Sequence, residues 1–87
     1  MTDLSGQHAV ITGGGTGIGE AVARALSNAG ARVTLMGRRL DRLEQVTATL
    51  SGASAIEVDV TDEASVREAM ATARALAPVT ILVNNAG

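Results

Sequence analysis

A glycine-rich segment between a strand-like run and a helix-like run constrains the fold of this chain more than any other feature. Residues 12–20, TGGGTGIGE, hold five glycines within seven positions. Glycine weakens helices and loses much conformational entropy on folding, so this concentration needs a cause. One cause is a tight turn, and the other is a ligand that approaches the backbone closely. At a helix start, with its unpaired N–H groups and positive dipole end, the favoured ligand is a phosphate.

The rest of the chain alternates between short apolar runs and amphipathic stretches. The apolar runs predict four strands, at 8–12, 32–36, 54–60 and 79–83. Apolar residues at helical spacing predict three helices, at 17–30, 40–50 and 61–77, the third capped by Thr61 and ended by Pro78. Within the third helix, Glu63 and Arg67 are expected to form an ion pair.

Strands that alternate with helices pair in parallel through right-handed crossovers. The prediction is therefore an α/β fold over residues 1–87, the N-terminal half of a doubly wound parallel sheet of the Rossmann type, β-α-β-α-β-α-β. Its last strand, at 79–83, would lie at an open edge of the sheet. We expect the isolated chain to self-associate through that edge.

Composition excludes several classes of function. The net charge is −2, the isoelectric point is about 5.2 and no residue is aromatic, which argues against a nucleic-acid partner. The longest apolar runs are too short to span a membrane, and the first residues lack the pattern of a secretory signal. The chain has no cysteine, which excludes thiolate metal sites and fits a cytoplasmic protein. No metal site is predicted.

The spacing of the glycines distinguishes between nucleotide-binding motifs. A strict G-x-G-x-x-G is absent, and a P-loop fails because Glu20 stands where a lysine is required. The segment fits T-G-x-x-x-G-x-G, with Thr12, Gly13, Gly17 and Gly19 at the specified positions. Kinases and nucleoside triphosphatases of the P-loop type are thereby excluded.

Together with three other segments, this motif resembles the short-chain dehydrogenase/reductase family. The segments are Leu4-Ser5-Gly6 before the first strand, Asp59-Val60 after the third and Asn84-Asn85-Ala86-Gly87 after the fourth. The resemblance covers the whole chain but only the N-terminal, cofactor-binding part of the family's domain. It implies an oxidoreductase that interconverts a carbonyl and an alcohol by hydride transfer with NADP(H) or NAD(H).

The resemblance also implies a set of cofactor-binding residues, which are Gly13, Gly15, Thr16, Gly17, Ile18, Gly19, Arg38, Asp59, Val60, Asn85, Ala86 and Gly87. Gly13 would make the turn, and the backbone from Thr16 to Gly19 would face the pyrophosphate. Asp59 would accept from the adenine amino group beside the Val60 N–H, and Asn85 would lie nearest the adenosine ribose. For the glycines, the alternative is a strand–helix turn without a ligand. For Asp59 it is a helix-capping acid, and for the Asn84–Gly87 segment it is an ordinary turn.

We also consider two polar residues of the first predicted strand, Thr12 and His8. Thr12 is expected to bond to the backbone of the Asn84–Gly87 segment. His8 lies at the strand entrance, away from the glycines, and receives no role.

Cofactor preference depends on the end of the second strand. A site that prefers NAD places a carboxylate there for the ribose hydroxyls, and this chain has Gly37. Arg38 follows, with a planar guanidinium suited to a 2′-phosphate. The prediction is NADP, with NAD as the alternative. Without a ligand, Arg38 would simply belong to a solvated, basic start of the second helix.

Catalytic residues are absent from these 87 residues. The family's tyrosine and lysine, which protonate the carbonyl and lower the tyrosine pKa, follow the Asn84–Gly87 segment, and this chain has neither residue type. The parent protein is therefore expected to be the enzyme, a homo-oligomer acting on a small carbonyl or alcohol, and this chain alone is expected to be inactive. The alternatives are a stand-alone dinucleotide-binding module and a structural fragment.

Overall fold

The predicted alternation of strands and helices is confirmed by the computed structural model, which describes residues 3–85. The elements are β1 (His8–Thr12), α1 (Gly17–Asn28), β2 (Arg32–Gly37), α2 (Leu40–Thr47), β3 (Ala53–Glu57), α3 (Glu63–Leu76) and β4 (Ile81–Asn84). All neighbouring strands are parallel, in the order β3-β2-β1-β4. The chain returns through α3 from the β3 edge to the opposite side of β1, which makes the sheet doubly wound.

Helices cover both faces of this sheet. Ile11 and Leu35 lie on one face, in a core with Ala23 of α1 and Leu43 of α2. Their neighbours along the strands point the other way, and that second core is formed by Val10, Met36, Val58, Ala69 and Ala73. Since β1 is central and covered on both faces, its apolar run is buried almost throughout.

The strand β4 lies at an edge of the sheet, as predicted, with β1 as its partner among residues 3–85. Its residues alternate between half-buried and exposed, and Leu82 is 61% exposed. Ile81 and Val83 pack on the core that contains α1 and α2, whereas Leu82 faces the side of α3. Self-association through this edge stays a prediction.

Several predicted boundaries were wrong because side chains compete for backbone groups. The third strand stops at Glu57, and α3 is capped by Asp62, whose carboxylate accepts from the N–H groups of Ala64 and Ser65. Thr61, the predicted cap, lies one residue before the observed cap, and its hydroxyl donates to Asp59.

At the other boundaries, α2 ends at Thr47 rather than near 50, since the N–H groups of Thr49 and Leu50 donate to carbonyls three residues back instead of four. The strand β4 begins at Ile81, because the Thr80 hydroxyl takes the place of a ladder partner for the His8 N–H. The expected ion pair between Glu63 and Arg67 is not formed in the described part of the chain. Exposed helical pairs of this kind contribute only a few tenths of a kcal/mol, about 0.3–0.5, so solvation wins readily.

His8 has a structural role that the sequence did not indicate. It is 1% exposed, with Nδ1 2.9 Å from the Ala77 carbonyl and Nε2 2.6 Å from the Thr34 hydroxyl. Because a carbonyl can only accept, the proton of a neutral ring lies on Nδ1 and the Thr34 hydroxyl donates to Nε2. This side chain therefore joins β1, β2 and the end of α3 at the amino end of the sheet.

Two classes of feature are absent from the described residues. No helix within 3–85 is both long and apolar enough to cross a membrane. The same residues contain no group of three or more histidine, cysteine, aspartate or glutamate side chains placed to hold a metal ion.

Candidate functional site

The loop between β1 and α1 turns over the end of β2. Gly13 has a φ of +70°, a conformation that glycine adopts without strain, so the predicted turn at this residue is confirmed. Its N–H donates to the Met36 carbonyl at 2.8 Å, and the Gly14 N–H reaches the same oxygen at 3.3 Å. The loop is thereby held against the carboxyl end of the sheet, where open α/β sheets bind ligands.

Two glycines of the loop are required by packing. A Cβ on Gly14 would lie 2.8 Å from the Leu35 Cβ, closer than real carbon atoms approach. A Cβ on Gly19 would overlap the Gly13 carbonyl oxygen and crowd the Asn85 amide. Gly14 was missing from the predicted site, because nothing in the local spacing indicates that Leu35 lies beneath it.

Gly17 differs from these two glycines. Its φ is not positive, and a Cβ added there would meet no atom within 4 Å. The N–H groups of Gly17 and Ile18 donate to no acceptor among residues 3–85, whereas the Gly19 N–H is capped by the Thr16 hydroxyl at 3.3 Å. The start of α1 therefore presents two donors under an open space, and Ile18 is 71% exposed.

The end of β4 holds this loop in place. The Asn85 side-chain amide donates to the Gly13 carbonyl at 3.2 Å and to the Thr16 hydroxyl at 3.0 Å. The Asn85 N–H donates to the Thr12 hydroxyl at 3.0 Å, so the predicted contact of Thr12 with this segment's backbone is confirmed. The proposed ribose contact of Asn85 stays a prediction, and Ala86 and Gly87 lie outside the described residues.

Arg38 and Asp59 meet across the ends of β2 and β3. The Arg38 guanidinium lies 3.2 Å from the Asp59 carboxylate, and both side chains are about half exposed or more. The same carboxylate oxygen accepts from the Thr61 hydroxyl at 2.6 Å and from the Thr61 N–H at 3.0 Å. These Thr61 bonds, followed by the Arg38 contact, hold the pKa of Asp59 below its usual value.

Two adjoining cavities open at this end of the sheet and share a wall formed by Gly13, Thr16, Gly37 and Arg38. The first, about 290 Å³, is completed by Val58, Val60 and Asn85 and is mainly apolar. The second, about 250 Å³, is completed by Gly15, Arg39, Arg42 and Leu43.

The predicted site residues that lie within 3–85 occupy the loops after β1, β2, β3 and β4 or, for Gly17 to Gly19, the first turn of α1. Because the strands are parallel, they come together at one edge of the sheet. This end of the sheet combines a mainly apolar cavity, two unpaired backbone donors and a recess lined by three arginines.

Comparison with known proteins agrees with this arrangement. A family model described as short chain dehydrogenase matches residues 7–87. Galactitol 2-dehydrogenase (L-tagatose-forming) of Cereibacter sphaeroides is 43% identical over an alignment of 86 residues that covers 97% of this chain and 34% of that protein. The chain therefore belongs to the short-chain dehydrogenase family.

Solved structures agree with this assignment. The crystal structure of a hydroxysteroid dehydrogenase from Escherichia coli superposes with a TM-score of 0.92 at 36% identity, over 98% of this chain and 38% of that one. A short-chain type dehydrogenase/reductase from Mycobacterium marinum gives a TM-score of 0.87 at 39% identity, over 92% of this chain and 34% of that one. The chain thus spans little more than a third of the length of these relatives.

Proposed function

We propose that this chain is the NADP-binding part of an oxidoreductase that interconverts a carbonyl and an alcohol by hydride transfer. Membership of the family implies a dinucleotide-binding oxidoreductase. The observation that carries the assignment to these residues is Gly17, because the packing of the chain itself leaves that position unexplained. A glycine whose Cβ position is open space, with its own N–H and that of Ile18 unpaired among residues 3–85, is what close approach of a pyrophosphate requires.

The two cavities suggest where the other groups of the dinucleotide bind. In this proposal the adenine occupies the apolar cavity between Val58 and Val60, where Asp59 accepts from its amino group. The ribose lies against the shared wall near Gly37, close to Asn85. Backbone from Thr16 to Gly19 receives the pyrophosphate at the start of α1.

The absence of a carboxylate at the end of β2 supports NADP over NAD. Gly37 leaves the ribose hydroxyls without an acidic partner, and Arg38 offers a planar guanidinium beside them. Arg38 is paired with Asp59, but an exposed pair of this kind is weak, so a phosphate dianion competes for the same guanidinium. NAD binding through the same pocket is the alternative.

The chemical step is assigned to residues beyond this chain. These 87 residues contain no tyrosine or lysine, so they cannot supply the acid that the family resemblance implies. The chain alone is proposed to bind the nucleotide without turnover, and the parent protein to reduce a small carbonyl or oxidise an alcohol. The resemblance also supports a homo-oligomer, and the cysteine-free composition fits a cytoplasmic location.

The test is Gly17→Ala, with NADP binding measured by calorimetry in the full-length protein. The new methyl group would occupy the space of the pyrophosphate, and we expect the Kd to rise at least tenfold. Thermal stability should stay constant or increase, because alanine is better than glycine in a helix by about 1 kcal/mol. Asn28→Ala, which raises helix propensity at the far end of α1, should leave the Kd unchanged. An unchanged Kd for Gly17→Ala would overturn the proposed site.

A further inference from the structure

Four arginines surround the recess between the glycine loop and α2, and three of them are neutralised. Arg24 pairs with Glu20 at 2.9 Å, Arg39 with Asp41 at 3.0 Å and Arg38 with Asp59 at 3.2 Å. The remaining one is Arg42, in the first turn of α2. Its guanidinium forms no hydrogen bond or ion pair with any residue of the described segment 3–85.

Arg42 lines the basic cavity that also holds Gly15, Thr16, Gly37 and Arg38. It lines as well the adjoining groove towards Glu20 and Arg24, of about 480 Å³. It therefore stands on the side of the recess opposite to the apolar cavity. An anion on the ribose would be directed towards this side when the adenine lies between Val58 and Val60.

Gly15 leaves room for the stem of this arginine. A Cβ at position 15 would lie 3.3 Å from the Arg42 Cβ, tighter than nearly all real contacts. Any larger residue would press on the arginine at its base. The glycine loop and Arg42 are thus fitted to each other, which gives this arginine a defined position beside the loop.

We infer that Arg42 is a second specificity-determining residue for the 2′-phosphate, which it would bind together with Arg38. This inference rests on the proposed function. Arg38 has to share or release the Asp59 carboxylate before it can serve a phosphate, so the charge it offers is partly cancelled. Among residues 3–85, no carboxylate forms an ion pair with Arg42, so its guanidinium can bind a dianion in the recess without first breaking such a pair.

The experiment compares NADP and NAD, which differ only in the 2′-phosphate, by calorimetry on the full-length protein. Arg42→Gln should raise the Kd for NADP roughly ten- to a hundredfold, the loss of one charge-assisted contact, and leave the Kd for NAD unchanged. The matched control is Arg74→Gln, an exposed arginine in the last turn of α3 at the other end of the sheet. It should change neither Kd. Because the Arg42 side chain is exposed and makes no protein contact through its guanidinium, we expect the variant to fold.

The outcomes separate this inference from the function on which it rests. If Arg42→Gln weakens NADP and NAD equally, or weakens neither, the inference is overturned and the dinucleotide site stands. If the unsubstituted protein binds neither nucleotide, the proposed function itself is overturned, and the assignment of Arg42 with it.

Discussion

The two ends of the parallel sheet use their polar groups in opposite ways. At the amino end, His8 is buried and each of its ring nitrogens has a protein partner, while Thr80 satisfies the His8 N–H. At the carboxyl end, the N–H groups of Gly17 and Ile18 have no acceptor among residues 3–85, and the ion pair of Arg38 is exposed to solvent. One end therefore satisfies its polar groups within the protein, whereas the other leaves donors and charges exposed, and it is there that we propose the nucleotide binds.

The strongest predicted change concerns stability and removes the buried histidine at the amino end of the sheet. His8→Ala would leave the Thr34 hydroxyl and the Ala77 carbonyl without partners and open a cavity beneath them. We expect the free energy of unfolding to fall by about 2–4 kcal/mol, measured by urea denaturation. The Kd for NADP, measured where the protein is still folded, should not change. A variant of normal stability, or one that binds NADP poorly while folded, would contradict the division between the two ends.

The next prediction concerns nucleotide affinity at the carboxyl end of the sheet. Arg38→Asp should raise the Kd for NADP by roughly ten- to a hundredfold and lower the Kd for NAD, because the new carboxylate repels the phosphate and accepts from the ribose hydroxyls. The thermal stability should change little, since the pair with Asp59 is exposed. If both affinities stay constant, Arg38 points to solvent, and the preference is decided elsewhere in the basic recess.

A smaller predicted effect concerns the pH dependence of NADP binding. Thr61 holds the pKa of Asp59 low, so the carboxylate stays ionised, and able to accept from adenine, above that lowered pKa. Binding that depends on it is lost as the pH falls through that value. In Thr61→Ala the pKa returns towards its ordinary value, and the acidic midpoint of NADP binding should move to higher pH.

Thr61→Ser, which keeps the hydroxyl, should restore the midpoint of the unsubstituted protein. Equal midpoints for the alanine and serine variants would show that the Thr61 hydroxyl has no influence on the carboxylate, because the backbone N–H that also donates to Asp59 is present in both.

The order of the elements was predictable because it depends on local periodicity. Apolar runs and helical stripes are properties of neighbouring residues, and the glycine spacing identified the loop. The contact of Thr12 with the Asn84–Gly87 segment was also predicted, since Thr12 ends β1, the segment begins at the end of β4, and the two strands are parallel neighbours. These features need no knowledge of distant contacts beyond strand pairing.

The remaining features depend on contacts between residues far apart in sequence. The burial of His8 requires the end of α3 to reach β1, and the need for glycine at position 14 depends on Leu35 of β2. The isolation of Arg42 appears only when the carboxylates of its neighbours are placed in space. Residue spacing along the chain contains none of this information.

Gly17 has a consequence for protein engineering. An alanine there is sterically free and favourable for the helix, whereas the proposed pyrophosphate contact requires the glycine, so the proposal sets heat resistance against nucleotide affinity at this one position. Directed evolution under thermal challenge alone is expected to select alanine at position 17, and the selected variants are expected to lose affinity for the nucleotide. A parallel selection with the nucleotide present would retain the glycine, and the difference between the two populations would identify the binding site without any assay of turnover.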